Sequence, residues 1–197
     1  MHERIFSFND FELSNEQKSG VLSTQPVQIG GVDGVLRYSS FSKHDPFTRN
    51  DNNPVLKARL ALVLPEYKST LQKFAIDDLY LSLDRGEVAC HELMFDDSIG
   101  DVVYVTSKTL TRPGYTGNGL SFNLGLMHDQ VISDTLERNA ERFRDKAVIS
   151  RMVDVGVTLM WQSGTNGRSI ASRLAEALGY ERVNNHGNYP CYEKVIV

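Results

Sequence analysis

Cysteine is scarce: the 197-residue chain has two, Cys90 and Cys191. Two thiols make neither a disulfide framework nor a four-ligand zinc set. Both fall in strand-like segments, where a buried free thiol in a reducing compartment is the expected state. Basic residues are not in excess either. Lys and Arg total 21 against 25 Asp and Glu, a net charge of −4, so the general phosphate attraction of a nucleic-acid binder is missing. No apolar run reaches the ~20 residues that a membrane-spanning helix needs. The start, Met1-His2-Glu3-Arg4-Ile5, lacks the apolar stretch of a secretory signal. These absences predict a cytoplasmic protein with no membrane partner and argue against a nucleic-acid partner. Repeats and low-complexity tracts are absent too. The composition, 41% hydrophobic and 23% charged, is that of an ordinary globular chain able to bury a core without covalent staples. The length predicts one domain over residues 1–197, with an elaborated N-terminal part.

The most informative stretch is Arg112-Pro113-Gly114-Tyr115-Thr116-Gly117-Asn118-Gly119-Leu120. It follows the strand-like Val102-Val103-Tyr104-Val105-Thr106 and precedes a helix-like run from about Ser121. Glycines there permit positive φ and let a ligand approach without a Cβ in the way. Free N–H groups at the head of the following helix then favour an anion. A phosphate or pyrophosphate is the expected guest. The familiar nucleotide signatures do not fit. A P-loop needs a lysine after its last glycine, and a dinucleotide fingerprint needs a glycine where Phe122 stands.

Tyr115-Thr116-Gly117-Asn118-Gly119-Leu120 resembles the Tyr-Arg-Gly-x-Gly-Leu turn of the GNAT superfamily, the acyl-coenzyme A-dependent N-acyltransferases. Thr116 stands where that family usually has arginine, and Gly114 where its motif begins with Arg or Gln. The flanks carry the same order. Asp78–Leu83, Val88–Phe95 and Val102–Leu110 read as strands joined by short turns, an antiparallel meander running into the glycine turn. Val155–Trp161 reads as a further strand and Ser169–Leu178 as a helix closed by Gly179. Leu178-Gly179-Tyr180 is similar to the family's Leu-Gly-Phe/Tyr ending, and Tyr192–Val197 reads as the last strand. The resemblance spans roughly 76–197, with 1–75 divergent.

Elsewhere the patterns are looser. Residues 1–24 are polar with scattered Phe6, Phe8 and Phe11, a short strand or an arm; Val27–Ser40 could form a hairpin around Gly30-Gly31. The spacing of Leu56, Leu60, Leu62, Val63 and Leu64 predicts a helix, with a second carrying Tyr67, Leu71 and Phe74. Ser121–Ser150 predicts one extended or broken helix, its charged part Glu137–Asp145 a solvated face.

The resemblance implies a mixed α/β fold: a central, mostly antiparallel sheet, splayed after the fourth strand and flanked by helices. It implies acetyl-coenzyme A, or another acyl-coenzyme A, as cofactor. Backbone groups of Leu110, Thr111 and Arg112 would meet the pantetheine arm. Those of Gly114, Tyr115, Thr116, Gly117, Asn118, Gly119 and Leu120 would cradle the pyrophosphate, with Asn166 in the loop where the family often places an asparagine. The reaction would be direct attack by a primary amine, on a small molecule or a protein, within a ternary complex. Glu92 is the candidate general base, or else an exposed strand residue; its neighbour His91 points to the opposite face. The position where the family often carries an acid tyrosine is Ala175, which keeps open a second reading, a GNAT-like binding or regulatory protein without catalysis. Arg37, Lys43, Arg49, Lys57 and Arg59 either mark an anionic acceptor or are solvated surface charge. A homodimer is among the assemblies that the resemblance allows.

Overall fold

Five strands in succession pair antiparallel, each with the next: β1 (Gly20–Ile29), β2 (Val32–Lys43), β3 (Val55–Val63), β4 (Glu87–Ile99) and β5 (Val102–Thr111). The structure is a computed structural model that describes residues 7–13, 19–43, 55–67, 83–153, 169–187 and 189–197. After the glycine loop come α1 (Leu120–Gly125), α2 (His128–Arg138) and α3 (Ala140–Phe143). They carry the chain back to β6 (Ala147–Val153), which lies parallel to β5. A helical crossover of this kind is what a parallel pair requires. Then α4 (Ile170–Ala177) leads to the hairpin of β7 (Glu181–His186) and β8 (Tyr189–Val195), with β8 inserted between β6 and β7.

The expected helix-flanked α/β arrangement is overturned. The described residues form an eight-stranded mixed sheet with four short helices, the longest 11 residues. The predicted helix at 55–64 is the clearest reversal. Leu56, Leu60, Leu62 and Val63 satisfy a helical spacing, but Leu56, Ala58, Leu60 and Leu62 also alternate perfectly, and alternation wins. Both faces of this strand are buried. Its second face can carry Lys57 and Arg59 because β4 supplies Glu92 and Glu87 opposite them. With that extra strand the meander has five members, so the sheet opens after the fifth strand and not after the fourth. The hairpin at 27–40 and the strands at 88–95 and 102–110 appear where the sequence predicts them. The predicted strands at 78–83 and 155–161 lie outside the described residues, Leu83 excepted. The strand β6 occupies the tail of what reads as helix.

The main core lies on one sheet face. Leu36, Tyr38, Leu60, Leu62, Leu93, Phe95, Val103 and Val105 meet Leu120, Leu124, Met127, Val131 and Ile132 of the helices, all buried. A smaller cluster of Met152, Leu174, Ala175 and Tyr180 joins α4 to β6. Among the described residues no helix is long and apolar enough to cross a membrane.

Candidate functional site

The parallel ladder between β5 and β6 is short. It runs from Val102↔Ala147 to Thr106↔Arg151, five pairs, and stops although both strands continue. Past that point Met152 and Val153 pair with Tyr192 and Cys191 of β8, on the far side of β6. Ser107–Thr111 pair with β4 alone among the described residues. One edge of β5 is therefore without a strand partner among the described residues, with backbone polar groups that want partners.

That free edge runs directly into the glycine loop. Arg112 anchors the join: its amide donates to the Val88 carbonyl at 2.7 Å, and its guanidinium to the carbonyls of Glu87 (2.9 Å) and Asp84 (3.2 Å). The Tyr115 amide closes a turn onto the Arg112 carbonyl, while the Tyr115 ring packs against the main core. The hydroxyls of Thr111 and Ser121 meet across the base of the loop. Gly117 and Gly119 have φ of 93° and 68°, whereas Asn118 between them is not among the positive-φ residues and Leu120 opens α1. Backbone that alternates in the sign of φ is the kind that can form a concave nest of N–H groups, which suits an anion. Among the described residues the amides of Thr116–Phe122 have no backbone partner. The helix that follows is only six residues long, so its dipole adds less than the sequence suggests. The loop and strand residues Leu110, Thr111, Arg112, Gly114, Tyr115, Thr116, Gly117, Asn118, Gly119 and Leu120 are thus contiguous along one rim. Asn166 lies outside the described residues.

Glu92 is neither exposed nor idle. It is 5% exposed, and its two carboxylate oxygens meet Lys57 Nζ at 2.9 Å and Arg59 Nη1 at 3.1 Å. Arg59 also pairs with Glu87, Glu87 with Arg37, and Arg37 with Asp84 at 3.2 Å. Lys57, Arg59 and Arg37 were candidate acceptor-binding cations; they are buried members of this network. A buried carboxylate so engaged is a structural element, because removing either sign would strand the other in a dry interior. The strand alternation that puts Glu92 on this face puts His91 on the other.

His91 opens a chain of polar groups that the sequence gives no local hint of, since its members are 22 or more residues apart in sequence. His91 Nε2 lies 2.9 Å from His128 Nδ1, and His128 Nε2 lies 2.8 Å from Ser150 Oγ. The Tyr180 hydroxyl donates to the same Ser150 oxygen at 2.6 Å. Both imidazoles are buried. Desolvation holds His91 down to about 4, and desolvation, then the neighbouring His91 and Lys194, hold His128 well below its usual value. Both are neutral near pH 7. Ser150 pairs with Val105, so the chain reaches β6 one residue pair short of the point where the β5–β6 ladder ends. Burial also pushes Cys90 up to about 12 and raises Cys191, so neither thiol is a ready nucleophile. No group of three or more metal-ligating side chains is present among the described residues.

No protein-family model matches the chain, and a search of curated proteins finds no match. Among solved structures the chain is similar to one described as "The crystal structure of a domain from Methanocaldococcus jannaschii DSM 2661". It is 10% identical, covers 81% of this chain and 99% of that one, and has a TM-score of 0.35. At that score the likeness carries no argument about fold or activity.

Proposed function

We propose that this chain binds an acyl-coenzyme A thioester at the opening beside β5 and passes its acyl group to a primary amine. The supporting observation is the join itself: a strand edge without a partner on that side among the described residues, Ser107–Thr111, continuing into a glycine loop in which φ alternates in sign. Five extended residues present about 17 Å of backbone donors and acceptors. An extended arm bearing two amides, ending in a diphosphate, complements such a rim: the arm takes the place of a missing strand and the diphosphate sits against the loop amides. What the protein contributes is positioning of thioester and amine in one orientation, with backbone N–H groups of the open edge available to the polarised carbonyl.

Proton handling falls to groups other than Glu92, whose oxygens are taken by Lys57 and Arg59. The Ser150–His128–His91 chain with Tyr180 is a buried set of proton-bearing groups that ends one residue pair from the end of the β5–β6 ladder. A second reading, a thioester-binding protein without turnover, is favoured by the engaged Glu92 and by buried Ala175, which has no hydroxyl to offer. Calorimetric titration with acetyl-coenzyme A, followed by a free-thiol assay over a panel of primary amines, separates the two. Binding with thiol release supports transfer, and binding without release supports the silent binder. No heat at millimolar ligand would rule out both.

A further inference from the structure

The tip of the β1–β2 hairpin reaches the glycine loop across 88 positions of sequence. Gly30 and Gly31 form that tip, with φ of 56° and 74°. A Cβ built on Gly30 would overlap the Asn118 carbonyl oxygen, and would lie 3.0 Å from the Asn118 carbonyl carbon and 3.2 Å from its Cβ. A Cβ built on Gly31 would meet nothing within 4 Å. The hairpin is the firmer of the two partners. Ile29 is 5% exposed in the main core, Val32 packs against it, and Gln28 Nε2 donates to Asp33 at 2.8 Å across the last ladder steps. Asn118 is exposed and sits between two left-handed glycines. If the two are forced apart, the loop is the part that yields.

We propose that the β1–β2 turn is a strut for the glycine loop, with Gly30 the positioning residue that fixes the Asn118 carbonyl and hence the direction of the neighbouring amides. The ligand consequence rests on the acyl-coenzyme A reading; the contact itself does not. Gly30→Ala adds both left-handed strain and the overlap, whereas Gly31→Ala adds the strain alone, so the difference between them isolates the strut.

The experiment compares wild type, G30A and G31A, with G30N as a further variant because asparagine tolerates positive φ. In ligand-free protein the amide resonances of Gly117, Asn118 and Gly119 shift in G30A and stay put in G31A. Equal shifts in both, or none in either, overturn the strut whatever the ligand. In calorimetry with acetyl-coenzyme A, G30A binds about tenfold or more weakly than wild type, and G31A stays within about twofold. Equal affinities of G30A and G31A overturn the role in binding while leaving the ligand reading intact. Failure of the wild type to bind sinks the ligand reading and the role in binding together, and the resonance shifts still decide the contact. Should G30A not fold, G30N carries the same Cβ through the same comparison.

Discussion

At the scale of single residues, the two groups that decide the chemistry are Glu92 and the His91–His128 pair, and adjacency in sequence conceals that they face opposite sides of the sheet. Glu92→Gln removes the carboxylate charge that faces Lys57 and leaves Arg59 with Glu87. It should cost about 3–5 kcal/mol of stability, read from the urea midpoint. A fully stable E92Q lacking only turnover would restore Glu92 as the base. The histidines set a pH dependence whose sign follows from burial. Their folded values lie below the unfolded ~6.5, so the unfolded chain binds more protons in between. Their stabilisation is complete above about pH 6.5 and is lost as pH falls, for His91 down to about 4 and for His128 through its own depressed value, at up to about 1.4 kcal/mol per pH unit for each imidazole. Asp97 is also held below its usual value, despite the opposing effect of burial, by hydrogen bonds from Arg142 and the charges of Arg142 and Lys146. Its contribution is lost only lower, as pH falls through that depressed value, so the two windows separate in urea melts stepped from pH 7.5 to 3. His128→Asn should remove one imidazole's share and so about halve the slope of the upper window, which His91 still carries, and leave the lower one. None of the histidine chain was legible beforehand. The sequence places His91 on the face opposite Glu92 and Tyr180 in the Leu-Gly-Tyr ending, but residues 128 and 150 carry no pattern that ties them to either.

At the scale of elements, the glycine loop was legible and the strand before it was legible, because local rules govern both. Positive φ demands glycine, and alternation demands a strand. The element that misled was β3, where apolar residues fit two periods at once and the deciding fact, a pair of glutamates waiting on β4, lies some 30 residues away. The strand β6 was lost for a related reason: its buried alternation, Val148, Ser150 and Met152, has a serine at its centre. The loop itself yields a direct prediction. Gly117→Glu places a bulky acid where φ is 93°, within the stretch whose amides have no backbone partner among the described residues. Acetyl-coenzyme A binding should disappear, while the melting temperature drops only by what about 1–2 kcal/mol of left-handed strain accounts for. Unchanged affinity would mean that the anion site is elsewhere.

At the scale of the whole molecule, one contiguous core joins the meander to the helices, and a smaller one joins α4 to β6 and to Tyr192 of β8. Between these groups the sheet is continuous through the five pairs from Val102↔Ala147 to Thr106↔Arg151 and then no further among the described residues. Such a partial seam behaves like a zipper stopped midway. Its last teeth, Val105, Thr106, Ser150 and Arg151, should exchange their amide hydrogens sooner than the central rows of the meander. A thioester lying in the opening would then act as a splint. Protection would rise in step on Ser107–Thr111 and on Met152–Val153, two stretches that share no backbone pairing, and protection gained by one bank alone would place the guest outside the seam.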